Sequence, residues 1–162
     1  MKKKNDALTF LSETGLQLIK DVITEVEKRT ASEIKVAIVS ASSIVPRLKK
    51  ADKEKAVTRR AKSLFRKLGI NKTKEATGVL ILISLEERMV RIQPDKAIDN
   101  ISPQINFQPL ANLITAGIKS ERPVDAICNV IYQLGDRLAK HFPVKPDDIN
   151  EITNDVVIMG RW

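Results

Sequence analysis

The chain has one cysteine, one histidine, one tryptophan and one tyrosine in 162 residues. Cys128 has no partner for an internal disulfide. It sits in an apolar helical pattern, which reads as a buried, reduced thiol and gives a cytoplasmic location as the expectation. His141 has no second histidine or cysteine with which to share a metal, and Cys128 has no histidine at a sequence-visible catalytic spacing. G-x-S-x-G, Walker and H-E-x-x-H motifs are all absent. No nucleophile–base constellation is therefore visible. Aromatic residues make up 4%, so aliphatic side chains must fill the interior. No apolar run approaches the roughly 20 residues of a spanning helix. The basic start, Met1-Lys2-Lys3-Lys4, leads into Asn5 and Asp6 and not into an apolar core, so it does not read as a cleaved signal.

What is present in excess is positive charge. The net charge is +8, with 28 Lys and Arg against 20 Asp and Glu. Residues 47–75 hold twelve of those cations and three acids, so this stretch carries essentially the whole excess. A stripe this basic suits phosphates, and an anionic partner such as nucleic acid or anionic lipid is one expectation for it. Its one aromatic, Phe65, falls on the apolar face and offers no stacking platform. The other reading is a solvated helix face, partly neutralised by Asp147, Asp148, Glu151 and Asp155 of the tail.

The most informative stretch is Gly78-Val79-Leu80-Ile81-Leu82-Ile83, an apolar run with no polar face. It reads as a strand covered on both sides. Met89-Val90-Arg91-Ile92 alternates and reads as a half-buried strand, antiparallel to the first because the connection is too short for a crossover. Glu33-Ile34-Lys35-Val36-Ala37-Ile38-Val39 is a third strand, β-branched and alternating. Between it and residues 79–83 comes a polar loop, residues 40–46, then a helix with Val57, Ala61, Leu64, Phe65 and Leu68 on one face and Gly69 as terminator. That is a βαβ crossover, which makes the two strands parallel.

Ahead of this unit, residues 1–11 read as a loose basic leader. Ser12 reads as an N-cap, with Leu11 and Leu16 as a hydrophobic staple. Leu16, Ile19, Val22, Ile23 and Val26 then recur at helical spacing. Beyond the hairpin, Ser102-Pro103 suits a helical turn. A helix starting near Pro109 has Leu110, Leu113, Ile114 and Ile118 inward. Another opens at Pro123 with Val124, Ile127, Ile131, Leu134 and Leu138 inward. One domain at 12–142 and a tail at 143–162 is the simplest partition. Val156-Val157-Ile158-Met159, with Trp162, is an apolar end. It adds an edge strand to its own sheet or to a protein partner's, or packs on its own domain.

Four pieces resemble the TPM-domain family, which includes thylakoid-lumen proteins of photosystem repair and many bacterial proteins. Arg29-Thr30-Ala31-Ser32-Glu33-Ile34-Lys35-Val36 is similar to the end of its first helix and its first strand. Ala61-Lys62-Ser63-Leu64-Phe65-Arg66-Lys67-Leu68-Gly69-Ile70 is similar to its second helix and glycine turn. Residues 78–83 with Arg88 and Arg91-Ile92 resemble its central hairpin. His141-Phe142-Pro143 followed by Asp147-Asp148-Ile149-Asn150-Glu151 resembles the end of its short bacterial members. The resemblance implies a three-layer α/β/α sandwich with a small mixed sheet. It implies little about activity: some members are described as acid phosphatases, some bind calcium, and longer ones carry a signal peptide and a membrane helix. Pro94 and Ala97 stand where the family commonly has glycines, and Ile118-Lys119-Ser120-Glu121 replaces its later Phe-x-x-Gly step.

The candidate metal ligands are Asp95 and Asp99, with Asn100 and with Glu33 from the start of the first strand. Calcium takes six to eight hard oxygens, so carboxylates and carbonyls gathered in a loop are suitable chemistry. The alternative is that Asp95 and Asp99 cap nearby turns. The resulting expectation is a binding or accessory module with weak calcium affinity. A hydrolase of phosphate esters would instead need carboxylate-held metal as its Lewis acid.

Overall fold

The structure is a computed structural model. It describes the backbone of residues 2–40 and 48–160, and the side chains of all of these except 2–10, 102 and 104. Four strands, β1 (Glu33–Val39), β2 (Gly78–Ser84), β3 (Met89–Pro94) and β4 (Val157–Met159), form one sheet in the order β3-β2-β1-β4. β1 is parallel to β2 and to β4, and β3 is antiparallel to β2. Helix α2 (Lys50–Lys67) completes the expected crossover from β1 to β2. The polar loop expected at residues 40–46 lies, from residue 41 on, outside the described residues.

The period-2 alternation of the strands separates two cores. Ile34, Val36 and Ile38 of β1 and Val79, Ile81 and Ile83 of β2 face α1 (Lys2–Glu27), α5 (Phe107–Lys119) and α6 (Pro123–His141). Ala37, Val39, Leu80 and Leu82 face Val57, Ala61, Leu64 and Phe65 of α2. This is the three-layer arrangement expected. Gly69 ends α2 with φ 74, the left-handed conformation that favours glycine. Two short helices, α3 (Lys96–Asp99) and α4 (Ser102–Ile105), link β3 to α5.

Two expectations need correction. Residues 2–11 are helical backbone and not a loose leader: α1 starts at Lys2 and kinks at Ser12, φ 62. No proline or glycine lies before the kink to stop it. Ser12 nevertheless caps the second run, its Oγ accepting from the Gly15 N–H at 3.1 Å. Leu113 is exposed, because small Ala111 lies beside Leu110 and Ile114 on the inner face of α5. That helix begins at Phe107, and Pro109 sits in its first turn, where its missing N–H breaks no bond. The apolar segment of the tail joins its own sheet, beside β1; Trp162 lies outside the described residues.

Candidate functional site

β1 is buried along its whole length, including its two charged residues. Lys35 is 4% exposed. Its ammonium donates to the Thr153 carbonyl at 2.8 Å, the Thr153 hydroxyl at 3.1 Å and the Asp155 carbonyl at 2.7 Å. All three donors of the group are thereby used. Burial lowers its pKa, against the attraction of Asp155 and Glu27. The lysine thus holds the tail along the outer edge of β1.

The other buried charge is Glu33, 6% exposed. Its Oε1 accepts from the Glu151 N–H at 2.9 Å, and its carboxyl shares a hydrogen bond with that of Glu27. Beside it lies Glu27, from the last turn of α1, which accepts from the Ile34 N–H at 3.0 Å. β4 pairs only with residues 37–39 of β1, so this carboxyl fills a hydrogen-bonding slot that a longer strand would occupy. Burial pushes Glu27 up to about 8, with repulsion from Glu33 adding to the shift. Burial raises Glu33 as well, against the hydrogen bond from the Glu151 N–H. Glu27 therefore holds its proton at neutral pH.

The tail forms the roof. Asn154 is buried and donates to the Thr24 hydroxyl at 2.9 Å, while accepting from Asn150 at 3.2 Å. Asp155 pairs with Lys20 at 2.8 Å. Glu151 Oε2 accepts from the Lys74 N–H at 3.0 Å. Next to this roof a cleft of about 470 Å³ opens between the end of α2 and the tail, with Lys35, Thr73 and Thr153 in its wall.

Asp95 and Glu33 lie at the same end of the sheet on either side of Gly78. Glu33 is in register with Gly78, and the Asp95 N–H donates to the Gly78 carbonyl at 2.8 Å. Two strand spacings separate their backbones, roughly 10 Å. Asp95 caps α3, its Oδ1 accepting from the Lys96 N–H at 2.7 Å, while Oδ2 is buried without a partner. Asp99 and Asn100 are exposed. Among the described residues, no group of three or more His, Cys, Asp or Glu is placed to hold a metal. Ala97, at a position where the family commonly has glycine, donates its N–H to the Ala76 carbonyl at 3.1 Å. Cys128 is buried, and desolvation pushes its thiol up to about 11. His141 is exposed at the end of α6, where a cation suits the helix dipole.

Sequence reasoning found Glu33 and missed Glu27, Asn154 and Lys35. Glu27 stands six residues before Glu33 across a helix end, a spacing that neither a helix nor a strand brings together by itself.

No helix among the described residues is long and apolar enough to cross a membrane. No curated protein matches the chain. The BA42 protein of the psychrophilic bacterium Bizionia argentinensis, solved by NMR, is similar over 92% of this chain and 95% of its own, with 31% identity and a TM-score of 0.78. The sequence profile of the TPM domain matches residues 4–137. With the sheet, its two helical layers and this profile in agreement, the chain belongs to the TPM domain family.

Proposed function

We propose that this protein is a binding module without catalysis of its own, and that its cation-responsive element is the Glu27–Glu33 carboxyl pair beneath residues 150–155. The observation that carries the reading is the burial of Glu33 beside a second carboxyl: Glu27 and Glu33 are hydrogen-bonded to each other and share a proton that a cation would replace. Removing two like carboxyls from water without a counter-charge is costly, and a bound cation offsets that cost. The donors nearby are hard oxygens: two carboxyls, the Asn154 amide and tail carbonyls, which suit calcium or magnesium and not a soft metal. Glu27 and Glu33 would be the charged ligands, with water completing the shell. Of the four ligands expected from sequence this reading keeps Glu33; Asp95 lies on the far side of Gly78, and Asp99 and Asn100 stay in solvent.

Calorimetric titration of the full chain with calcium at pH 7 and pH 9 tests it. Cation binding displaces the Glu27 proton, so affinity rises with pH, by up to about tenfold per pH unit below the pKa. Glu33→Gln is expected to lower calcium affinity at least tenfold. Equal affinity in the variant contradicts the site. Turnover of a phosphate ester by the pure protein, abolished by chelator, would favour the metal-dependent hydrolase instead.

A further inference from the structure

The cleft between α2, β3 and α5 has a composition that the carboxyl pair does not use. Its volume is about 660 Å³, within the usual range for small-ligand sites. Five cations line it: Lys50 and Lys53 from the start of α2, Arg88 and Arg91 from the hairpin, and Lys119 from the last turn of α5. Among the described residues none of the five makes an ion pair. Two carboxylates among the described residues share the lining, Glu54 and Glu87. Glu87 is committed elsewhere: its side chain is 4% exposed, 3.8 Å from the Arg60 guanidinium, and it accepts from the Ser84 hydroxyl. Five cations therefore face one carboxylate that is not engaged.

Arg91 has hydrogen-bonding capacity left over. Its Nε is buried and has no hydrogen-bond partner, and the one contact of its guanidinium is a long 3.5 Å approach from Nη2 to Gln93. A planar guanidinium with donors to spare beside ammonium groups suits phosphate oxygens, which the arginine fork grips while lysines neutralise. The concave shape and low-dielectric walls focus the field of the cations. Between the charged walls, half-buried Met89 supplies apolar surface, and Asn112 and Thr115 supply neutral hydrogen-bonding groups. Among the described residues no aromatic side chain lines the cleft, so they offer it no stacking platform of the kind on which single-stranded nucleic acid depends.

We propose that this cleft binds a small organic polyphosphate of the nucleoside triphosphate kind, with the phosphate chain on Arg91, Lys53 and their cationic neighbours and the organic part over Met89. The ligand is bound and not turned over, and the site is independent of the carboxyl pair.

Calorimetric titration of the full chain with ATP, AMP and inorganic tripolyphosphate, in chelator at low and high salt, tests the proposal. Chelator keeps the carboxyl pair out of the readout. ATP is expected to bind at least tenfold more tightly than AMP and several-fold more tightly than tripolyphosphate, and to weaken steeply with salt. Arg91→Met and, on the exposed rim, Lys119→Met are each expected to weaken ATP at least fivefold. Lys62→Met, in the separate groove formed with Arg59, Ser63 and Arg66, is expected to leave it unchanged. Four results overturn the proposal: no heat of binding at millimolar ATP; wild-type affinity in both cleft variants; equal loss in Lys62→Met; or tighter binding of an oligonucleotide or an anionic vesicle that depends on the same residues.

Discussion

The Lys35 ammonium lies 2.7 Å from the Asp155 carbonyl, joining residues 120 positions apart. This contact and the two to Thr153 fix the segment that leads into β4. Removing a buried, fully hydrogen-bonded ammonium leaves its acceptors unpaired, which is destabilising. Lys35→Met is expected to cost about 2–3 kcal/mol. Amide exchange localises the effect: the Ser40 N–H, bonded to the Met159 carbonyl at 3.0 Å, should lose protection while residues 79–83 keep theirs.

Glu27 makes stability depend on pH. Its folded pKa, about 8, lies above the ordinary glutamate value of 4.5. Between those values the folded state binds more protons than the unfolded one, so stability falls as pH rises from about 4.5 to about 8 and then levels off. A pKa displaced by one pH unit corresponds to at most about 1.4 kcal/mol. Glu27 is only partly buried, and solvent screening reduces the whole effect to about 1–2 kcal/mol. Glu27→Gln keeps an oxygen for the Ile34 N–H and removes the titration. In chelator, its urea midpoint should be flat across this window and exceed wild type at pH 9.

Helices α1 and α6 meet through Gly135. A Cβ placed there would lie 2.1 Å from Val26 Cγ1. Alanine gains about 1 kcal/mol in helix propensity, but overpacking costs about 1–3 kcal/mol, so the outcome turns on how far Val26 can move. Both helices are held by the main core, and Gly135→Ala is expected to destabilise by about 1 kcal/mol. Val26→Ala added to it should cost less than the two changes summed, as a denaturation cycle would show.

Arg60 and Glu87 form a buried pair, with side chains 3% and 4% exposed. Burial lowers the Arg60 pKa and the nearby Glu87 charge partly restores it. Removing one partner takes a counter-charge from the other in a buried setting, and Glu87→Gln is expected to cost about 3 kcal/mol. The double change Arg60→Met with Glu87→Met should cost less than the two single changes summed, read by urea unfolding.

The fold was legible wherever a local rule operates. β2 announced itself because seven successive residues are buried, and Gly69 because a helix must stop where φ turns positive. The leader was misread because no nearby residue marks the true start at Lys2; Ser12, a good cap, marks a kink within α1 instead. The candidate site was half legible. Glu33 stood out as an acid opening a strand, yet nothing in its neighbourhood says that it is buried. That burial comes from Glu151, 118 residues away. Lys35 gave no signal for the same reason, since its cover arrives with the tail. Long-range partners of buried charges leave no periodicity to read.

The claim at the centre of this account is that Glu27 and Glu33 form one buried, proton-holding, cation-responsive pair. Carboxyl carbon-13 NMR of the two side chains, titrated from pH 4 to pH 10 with and without calcium, measures it directly. The account predicts that Glu27 titrates near 8 in chelator, that Glu33 titrates above the ordinary carboxylate range, and that calcium drives both downward. Two carboxyls titrating near 4.5 and unmoved by calcium would contradict it.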